Sequence, residues 1–434
     1  MLLNTLGTPT EVFLTLHKEM LLNINEDCLA FFLCMRSMNP TNLAMQCLDK
    51  LMSRPNEPLA AEIKSLLLKR TLQQLRKKQK IFLPKSGCLI GVIDEKGILQ
   101  YGECFLQVPQ GVIVSEVIVA KNPCLHPGDI RVLKAIDCNE LHHLRNVLVF
   151  PNNGPRPHTN ECSGSDLDGD LYFVTWETRL KPPTTQDPMI YDSTPPIETT
   201  DPISSRTLIE FFQTFVTHNK LGQIDNLHLA IADSSEYYAM DEKCIKLSEM
   251  HSTAVDFPKT GNIVVIDEEY LSYPFPDFME HNSPESYQSS KILGILYREV
   301  KEIPEISIPE PSTENLVPGF EKLLFEARNL VTDYKKDLEM LMKRFGVACE
   351  VELIIAQPLE LTNYFQKKKR EDEIRELLNL NSNKLIEKHR KAFEEVASKE
   401  LASACYWISH NEFDVRAYPW VIIPFEYLIG DAEE

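Results

Sequence analysis

The chain has 434 residues, a quarter of them charged, and a formal net charge of −19. That length buries a sizeable core and points to two or three domains. The acidic balance argues against a protein that coats nucleic acid generically, but it leaves room for a local basic channel beside an acidic centre. No apolar run is long enough to span a bilayer and no basic-then-apolar leader is present. The eleven cysteines contain no C-x-x-C pair, so the reading is a nuclear or cytoplasmic protein with reduced thiols and no zinc site, not a secreted one.

Residues 1–80 read as a helical connector. Thr8-Pro9-Thr10-Glu11 is a capping box with proline at the first helical position, and Val12, Phe13, Leu16 and Met20 follow at helical spacing. Asn39-Pro40 opens a second predicted helix with Leu43, Cys47, Leu48 and Leu51 as its apolar stripe. A third runs over 57–80 on Ile63, Leu66, Leu67, Leu72 and Leu75. Its end carries Lys69-Arg70 and then Arg76-Lys77-Lys78-Gln79-Lys80. These cations either complement a helix C-terminus or contact a phosphate backbone.

The texture changes at Ile81. Short β-prone runs occupy 81–83, 88–93, 101–108, 112–120, 129–136, 147–150 and 171–176, separated by glycine- and proline-rich turns. About seven strands with no long helix between them predict a compact barrel or sandwich over 81–180. Within it, the segment 121–131 packs Lys121, His126, Arg131 and two prolines into one turn, the kind of rigid turn that holds a lysine for phosphate recognition. An ordinary surface loop is the alternative. Arg156-Pro157-His158 follows, with Arg156 placed to balance carboxylate or phosphate charge and His158 either a packed loop histidine or a proton donor.

Between the last two predicted strands lies Asp166-Leu167-Asp168-Gly169-Asp170. In an extended strand alternate side chains share a face, so the three carboxylates are expected to point the same way. Like charges so crowded call for a cation, and hard carboxylate oxygens select Mg²⁺, or Mn²⁺ in its place. Gly169 lets the loop bend or a ligand approach. A calcium loop of the EF-hand type also needs alternating aspartates, but it needs glycine where Leu171 stands and a polar group where Val174 stands.

Downstream, 181–202 is rich in proline, threonine and aspartate and reads as an exposed linker. A helical domain is expected over 203–434, with helices at 203–223, 227–238 and 241–252. In Asp256-Phe257-Pro258-Lys259-Thr260-Gly261, Lys259 is a candidate substrate contact, although a proline- and glycine-shaped loop fixed by packing needs no such role and is the preferred reading. A second linker is expected at 305–311. Long charged helices are expected over 320–345 and 367–399, the latter opening with Lys367-Lys368-Lys369-Arg370. An apolar segment, Tyr418-Pro419-Trp420-Val421-Ile422-Ile423-Pro424, is expected to pack back onto the domain.

Several stretches, in order, resemble the catalytic barrel of the cell-encoded RNA-dependent RNA polymerases of RNA silencing: Gly91-Val92-Ile93-Asp94-Glu95, Tyr101-Gly102-Glu103-Cys104-Phe105, 121–131, Val149-Phe150-Pro151, Arg156-Pro157-His158 and 162–176. The likeness continues through 219–226, 254–261 and 290–294. It covers roughly 70–300 well and the helical remainder weakly. The resemblance implies an α+β fold in which a double-psi β-barrel is flanked by a helical connector and a C-terminal helical domain. It implies two-metal nucleotidyl transfer, with Asp166, Asp168 and Asp170 as catalytic and metal-holding residues and Mg²⁺ (or Mn²⁺) as cofactor. Lys121, Arg156 and Lys259 are the candidate substrate contacts. The implied partners are an RNA template, nascent RNA, nucleoside triphosphates and RNA-silencing proteins, with no membrane. The product would be double-stranded RNA for small interfering RNA.

Relative to that family the chain begins inside the connector, so a first barrel with opposing lysines is not seen. The expectation is therefore a polymerase whose isolated 434-residue piece has little or no activity. The alternative is a truncated or non-catalytic RNA-binding or scaffold relative.

Overall fold

The computed structural model describes residues 1–26, 57–191, 195–198, 202–281, 285–300, 307–311, 316–356, 358 and 371–418. The predicted helix at Asn39-Pro40, the basic run 367–370 and the 419–424 part of the apolar C-terminal segment lie outside the described residues. Two compact units form, one from 1–20 with 76–299 and the other from 21–75 with 300–434. This division groups the first twenty residues with the barrel and runs across the four segments expected from sequence.

The first unit is built on strands β1 (Ser86–Ile93), β2 (Glu103–Val108), β3 (Gly111–Val112), β4 (Ser115–Lys121), β5 (Arg131–Ala135), β6 (Val147–Phe150) and β7 (Leu171–Thr175). Six of them close a ring in the order β2-β5-β4-β7-β1-β6, shut by pairing of β6 with β2, while β3 hangs on β2 as a hairpin. Two pairings, β1–β6 and β2–β5, are parallel and the other four antiparallel. A closed barrel beside helices is the expected α+β architecture, and closure leaves no long open edge. Cys104, Leu106, Val117, Val119, Leu148, Phe150, Tyr172 and Val174 fill the interior.

Two expectations need correction here. Residues 81–83 are not a strand. Pro84 cuts the run short, and instead Phe82 N–H points at Met20 Sδ (3.0 Å) while Ile81 and Leu83 join an apolar cluster with Leu16 and Ile118. The stretch 112–120 is two strands, because β3 pairs with β2 whereas β4 pairs with β5 and β7.

Helices α1 (Thr10–Glu26) and α2 (Pro58–Lys78) precede the barrel, and the short α3 (His158–Glu161) precedes β7. After it come α4 (Ser205–His218), α5 (Leu221–Ser234), α6 (Glu242–Val255), α7 (Phe257–Thr260) and α8 (Ile292–Glu299). Ile224, Leu227 and Ile231 of α5 bury against Cys244 and Leu247 of α6. The Asp241 carboxylate caps α6 by accepting from Lys243 N–H. The segment after the barrel is not a free linker throughout. Gln186, Pro188 and Met189 give their carbonyls to Arg131 and Arg156, and Tyr191 donates to Asp129.

In the second unit, α9 (Leu324–Phe345) packs on α11 (Glu371–Glu394) and α12 (Lys399–Asn411), with α10 (Glu350–Ile354) beside them. The single helix expected over 367–399 stops at Glu394. Ser398 then caps a new helix by accepting from Leu401 N–H.

Candidate active site

The three aspartates converge by a route other than strand alternation. Leu167 (φ 68°) and Gly169 (φ 118°) are both left-handed, so 166–170 is a double bend. Leu167 tolerates that conformation because its side chain packs on the barrel core. Within the bend, Asp168 N–H points at Asp166 Oδ1 and Asp166 N–H at Asp170 Oδ2, each at 3.4 Å. One carboxylate oxygen from each of Asp166, Asp168 and Asp170 then lies within 4.8 Å of the others.

The barrel anchors both ends of this loop. Gly91 N–H donates to Asp170 O (3.2 Å), continuing the β1–β7 ladder. Ser165 Oγ donates to Thr159 O and accepts from Tyr172 OH, both at 2.5 Å. Burial inside the barrel raises the Tyr172 phenol well above its ordinary range, which keeps it a hydroxyl donor.

Lys121, the last residue of β4, pairs in register with Tyr172 of β7, and its Nζ lies 3.2 Å from Asp170 Oδ1. A cleft of about 620 Å³ opens in front of the triplet. One wall holds the three aspartates, Lys121, His126 and Asp129. The other holds Ser248, His251, Ser252 and Val255, a single face of α6, followed by Asp256 and Lys259. Lys259 is mostly exposed, with its Nζ 3.8 Å from Asp256 Oδ1. Of the expected substrate contacts, Lys121 and Lys259 both line the cleft.

Arg156 does not line it. Its Nε donates to Asn160 Oδ1 (2.7 Å) and its NH2 to Met189 O (2.7 Å) and Asn160 O (3.3 Å), so the guanidinium ties α3 to the segment after the barrel. His158 is buried and equally committed. Its Nε2 accepts from Gly102 N–H (2.8 Å), which leaves Nδ1–H to donate to Glu161 Oε2 (2.5 Å). Burial alone would push the Glu161 carboxyl up. The His158 and Tyr101 hydrogen bonds together with Arg131 overcome that and hold it below its usual range. His158 is thus a packed histidine rather than one that faces the cleft.

Sequence reasoning singled out neither Asp129 nor His251. Asp129 is 1 % exposed, and it accepts from Tyr191 OH and from His126 N–H (3.1 Å). Burial raises its carboxyl above the usual range despite those donors. His251 sits one helical turn from Ser248, a spacing visible in the sequence only once α6 is known to face the triplet.

The sequence profile described as "RNA dependent RNA polymerase" matches residues 1–300, and that described as "RdRP, head domain" matches 312–429. The chain belongs to the RNA dependent RNA polymerase family. It is 37 % identical over 434 residues to "RNA-dependent RNA polymerase 6" of Arabidopsis thaliana, an alignment covering 91 % of this chain and 36 % of that protein. To "Probable RNA-dependent RNA polymerase 1" of Oryza sativa subsp. japonica it is 36 % identical, covering 85 % of this chain and 54 % of the relative. Among solved structures, "RNA dependent RNA polymerase QDE-1 from Thielavia terrestris" aligns with a TM-score of 0.47 at 18 % identity, over 80 % of this chain and 45 % of that one. The chain therefore spans between about a third and a half of these polymerases' length. Among the described residues no helix is long and apolar enough to cross a membrane.

The donor set suits a hard divalent cation. It consists of three carboxylates within bonding reach of one ion, with Asp166 and Asp168 open to the cleft and a lysine ammonium already drawn to the third. No other cluster of three or more histidines, cysteines or carboxylates with this spacing occurs among the described residues.

Proposed function

We propose that this chain carries the carboxylate half of the active site of an RNA-directed RNA polymerase, which copies an RNA template into complementary RNA to supply double-stranded RNA and small interfering RNA for RNA silencing. The observation that carries this reading is the convergence of Asp166, Asp168 and Asp170 at the mouth of a cleft large enough for a nucleotide, in a chain of this family.

In the reaction, the 3′-hydroxyl of the growing strand attacks the α-phosphate of a nucleoside triphosphate. A P–O bond forms, the bond to pyrophosphate breaks and the hydroxyl proton passes to water. Asp166, Asp168 and Asp170 would hold a divalent cation, Mg²⁺ with Mn²⁺ as substitute, which would supply charge neutralisation at the reacting phosphate. Lys121, released from Asp170, turns to phosphate, and Lys259 supplies a second positive charge from the opposite wall. The left-handed bend at Leu167 and Gly169 keeps the carboxylates preorganised, so little reorganisation is needed during transfer.

The test is nucleotide incorporation on single-stranded RNA with Mg²⁺ or Mn²⁺, using the protein as its gene encodes it. Asp168→Ala is expected to abolish incorporation. Undiminished incorporation by that variant would remove the triplet from the mechanism.

A further inference from the structure

His126 presents a hydrogen-bond donor to the cleft that no described residue uses. Its Nδ1 accepts from Gly128 N–H (3.0 Å), capping the short turn that follows. The ring's proton therefore sits on Nε2. The residue is 7 % exposed and lines the cleft, and no acceptor for Nε2 is found among the described residues. Burial disfavours the charged ring, so this donor stays neutral.

His251 faces the same space from α6, also 7 % exposed. Its Nε2 lies 3.2 Å from Asp225 Oδ1 but off the line of a hydrogen bond, and that oxygen has no donor of its own. Ser252 lies beside it on the helix. The His126 donor, the His251 imidazole and the Ser252 hydroxyl form a set unlike the aspartates and lysines elsewhere in the cleft. Anions are better served by Lys121 and Lys259. Imidazole and hydroxyl hydrogen-bonding groups match a sugar hydroxyl.

We infer that His126 and His251 form a seat for the ribose 2′-hydroxyl of a ribonucleotide held at the triplet, and that they set the preference for ribose over deoxyribose. The inference rests on the function proposed above. A site built to bond a hydroxyl rejects the analogue lacking it, because its buried polar groups are then left unpaired.

The ligand is either a free nucleoside triphosphate or the end of an RNA strand, and two binding arms separate these. With the full chain and Mn²⁺, displacement of a fluorescent ATP analogue is measured for ATP and 2′-deoxyATP. Displacement of a labelled oligouridylate is measured for its ribo and deoxy forms. His126→Asn keeps the cap, because the Asn oxygen takes the place of Nδ1, but it withdraws Nε2 from the cleft. His251→Ala removes the second ring from a helix surface that tolerates alanine.

Each substitution is expected to reduce the ribo/deoxy preference about three- to tenfold in at least one arm, leaving Mn²⁺ affinity unchanged. The arm that responds identifies the ligand. Lys259→Gln is expected to weaken ribo and deoxy forms alike, and Lys246→Gln, on the far face of α6, to change neither. A ribo/deoxy ratio that stays at the wild-type value in both folded histidine variants overturns the inference. Loss of all nucleotide and RNA binding by the wild type would overturn the proposed function with it, whereas an unmoved ratio with intact binding overturns this seat alone.

Discussion

Lys121 Nζ stands 3.2 Å from Asp170 Oδ1, joining the end of β4 to the last carboxylate of the triplet, and both side chains are about four-fifths buried. The lysine occupies, in charge, the place a divalent cation needs. On the function proposed above, metal binding at Asp170 would displace an ammonium, and a triphosphate would re-employ it. Lys121→Met should bind Mn²⁺ about three- to tenfold more tightly, because the competing cation is gone, yet bind ATP more weakly. Calorimetric titration with Mn²⁺ alone and then with ATP reads the two signs separately. Weaker Mn²⁺ binding by the variant would show that the lysine supports the metal rather than competing with it.

Gly91 leaves no room for a side chain. A Cβ there would lie 2.3 Å from Tyr172 Cε2 and 2.7 Å from Leu167 Cδ2, and Tyr172 is wholly buried. Gly91→Ala is expected to destabilise the first unit by about 1–3 kcal/mol. Because the clash reaches Leu167 inside the triplet bend, Mn²⁺ affinity should fall as well. Urea unfolding and Mn²⁺ titration of the same preparation check both. An unchanged unfolding midpoint would contradict the packing described.

Asp94 organises the turn after β1. Its carboxylate accepts from the N–H groups of Lys96 (3.0 Å), Gly97 (3.1 Å), Ile98 (2.6 Å) and Leu99 (2.8 Å) in a fully buried position. Removing it leaves four backbone donors without their acceptor, that of Leu99 in a buried residue. Asp94→Ala should cost about 3 kcal/mol, and Asp94→Asn less, since one acceptor oxygen remains. Chemical denaturation of the two variants against wild type gives the order, and an alanine variant as stable as wild type would refute the role.

Glu350 makes the second unit sensitive to pH. Burial raises its carboxyl from 4.5 to about 7, although Tyr334 OH (2.8 Å), Arg416 N–H (2.7 Å) and Ala417 N–H (3.1 Å) all donate to it. A carboxyl whose folded value is raised holds its proton more tightly when folded. Its contribution to stability is complete below about 4.5 and is lost as pH rises through about 7. Glu350→Gln, whose amide can donate to the Tyr334 oxygen, should flatten this dependence. Unfolding free energy followed across that window tests it, and an equal slope in the variant would exclude Glu350 as its source.

Much of the barrel was legible in the sequence, because its turns are written in glycine and proline and its strands in β-branched runs. The exceptions have local causes. The apolar run at Ile81 looks like a strand but has no ladder partner before Pro84. The two strands within 112–120 look like one, because a change of pairing partner leaves no mark on hydrophobicity. The convergence of the three carboxylates was expected from their alternate spacing, but the geometry that brings them together was not legible. Alternation predicts one face of a strand, whereas two left-handed residues, one of them the non-glycine Leu167, fold the carboxylates together. Arg156 shows the limit most plainly. A guanidinium near carboxylates reads as a ligand contact until the carbonyls of Pro188 and Met189, some thirty residues on, are seen to occupy it. The α6 wall was invisible for the same reason, since a helix face acquires meaning only from what it faces.

Asp166, Asp168 and Asp170 are proposed to act together as a divalent-metal site. The most direct measurement is Mn²⁺ binding to the 434-residue chain, followed by electron paramagnetic resonance, for wild type and Asp168→Ala. Asp168 is exposed and its removal relieves like-charge repulsion, so the variant should fold at least as stably as wild type while its Mn²⁺ affinity falls at least tenfold. Equal Mn²⁺ binding by the two folded proteins would contradict the account.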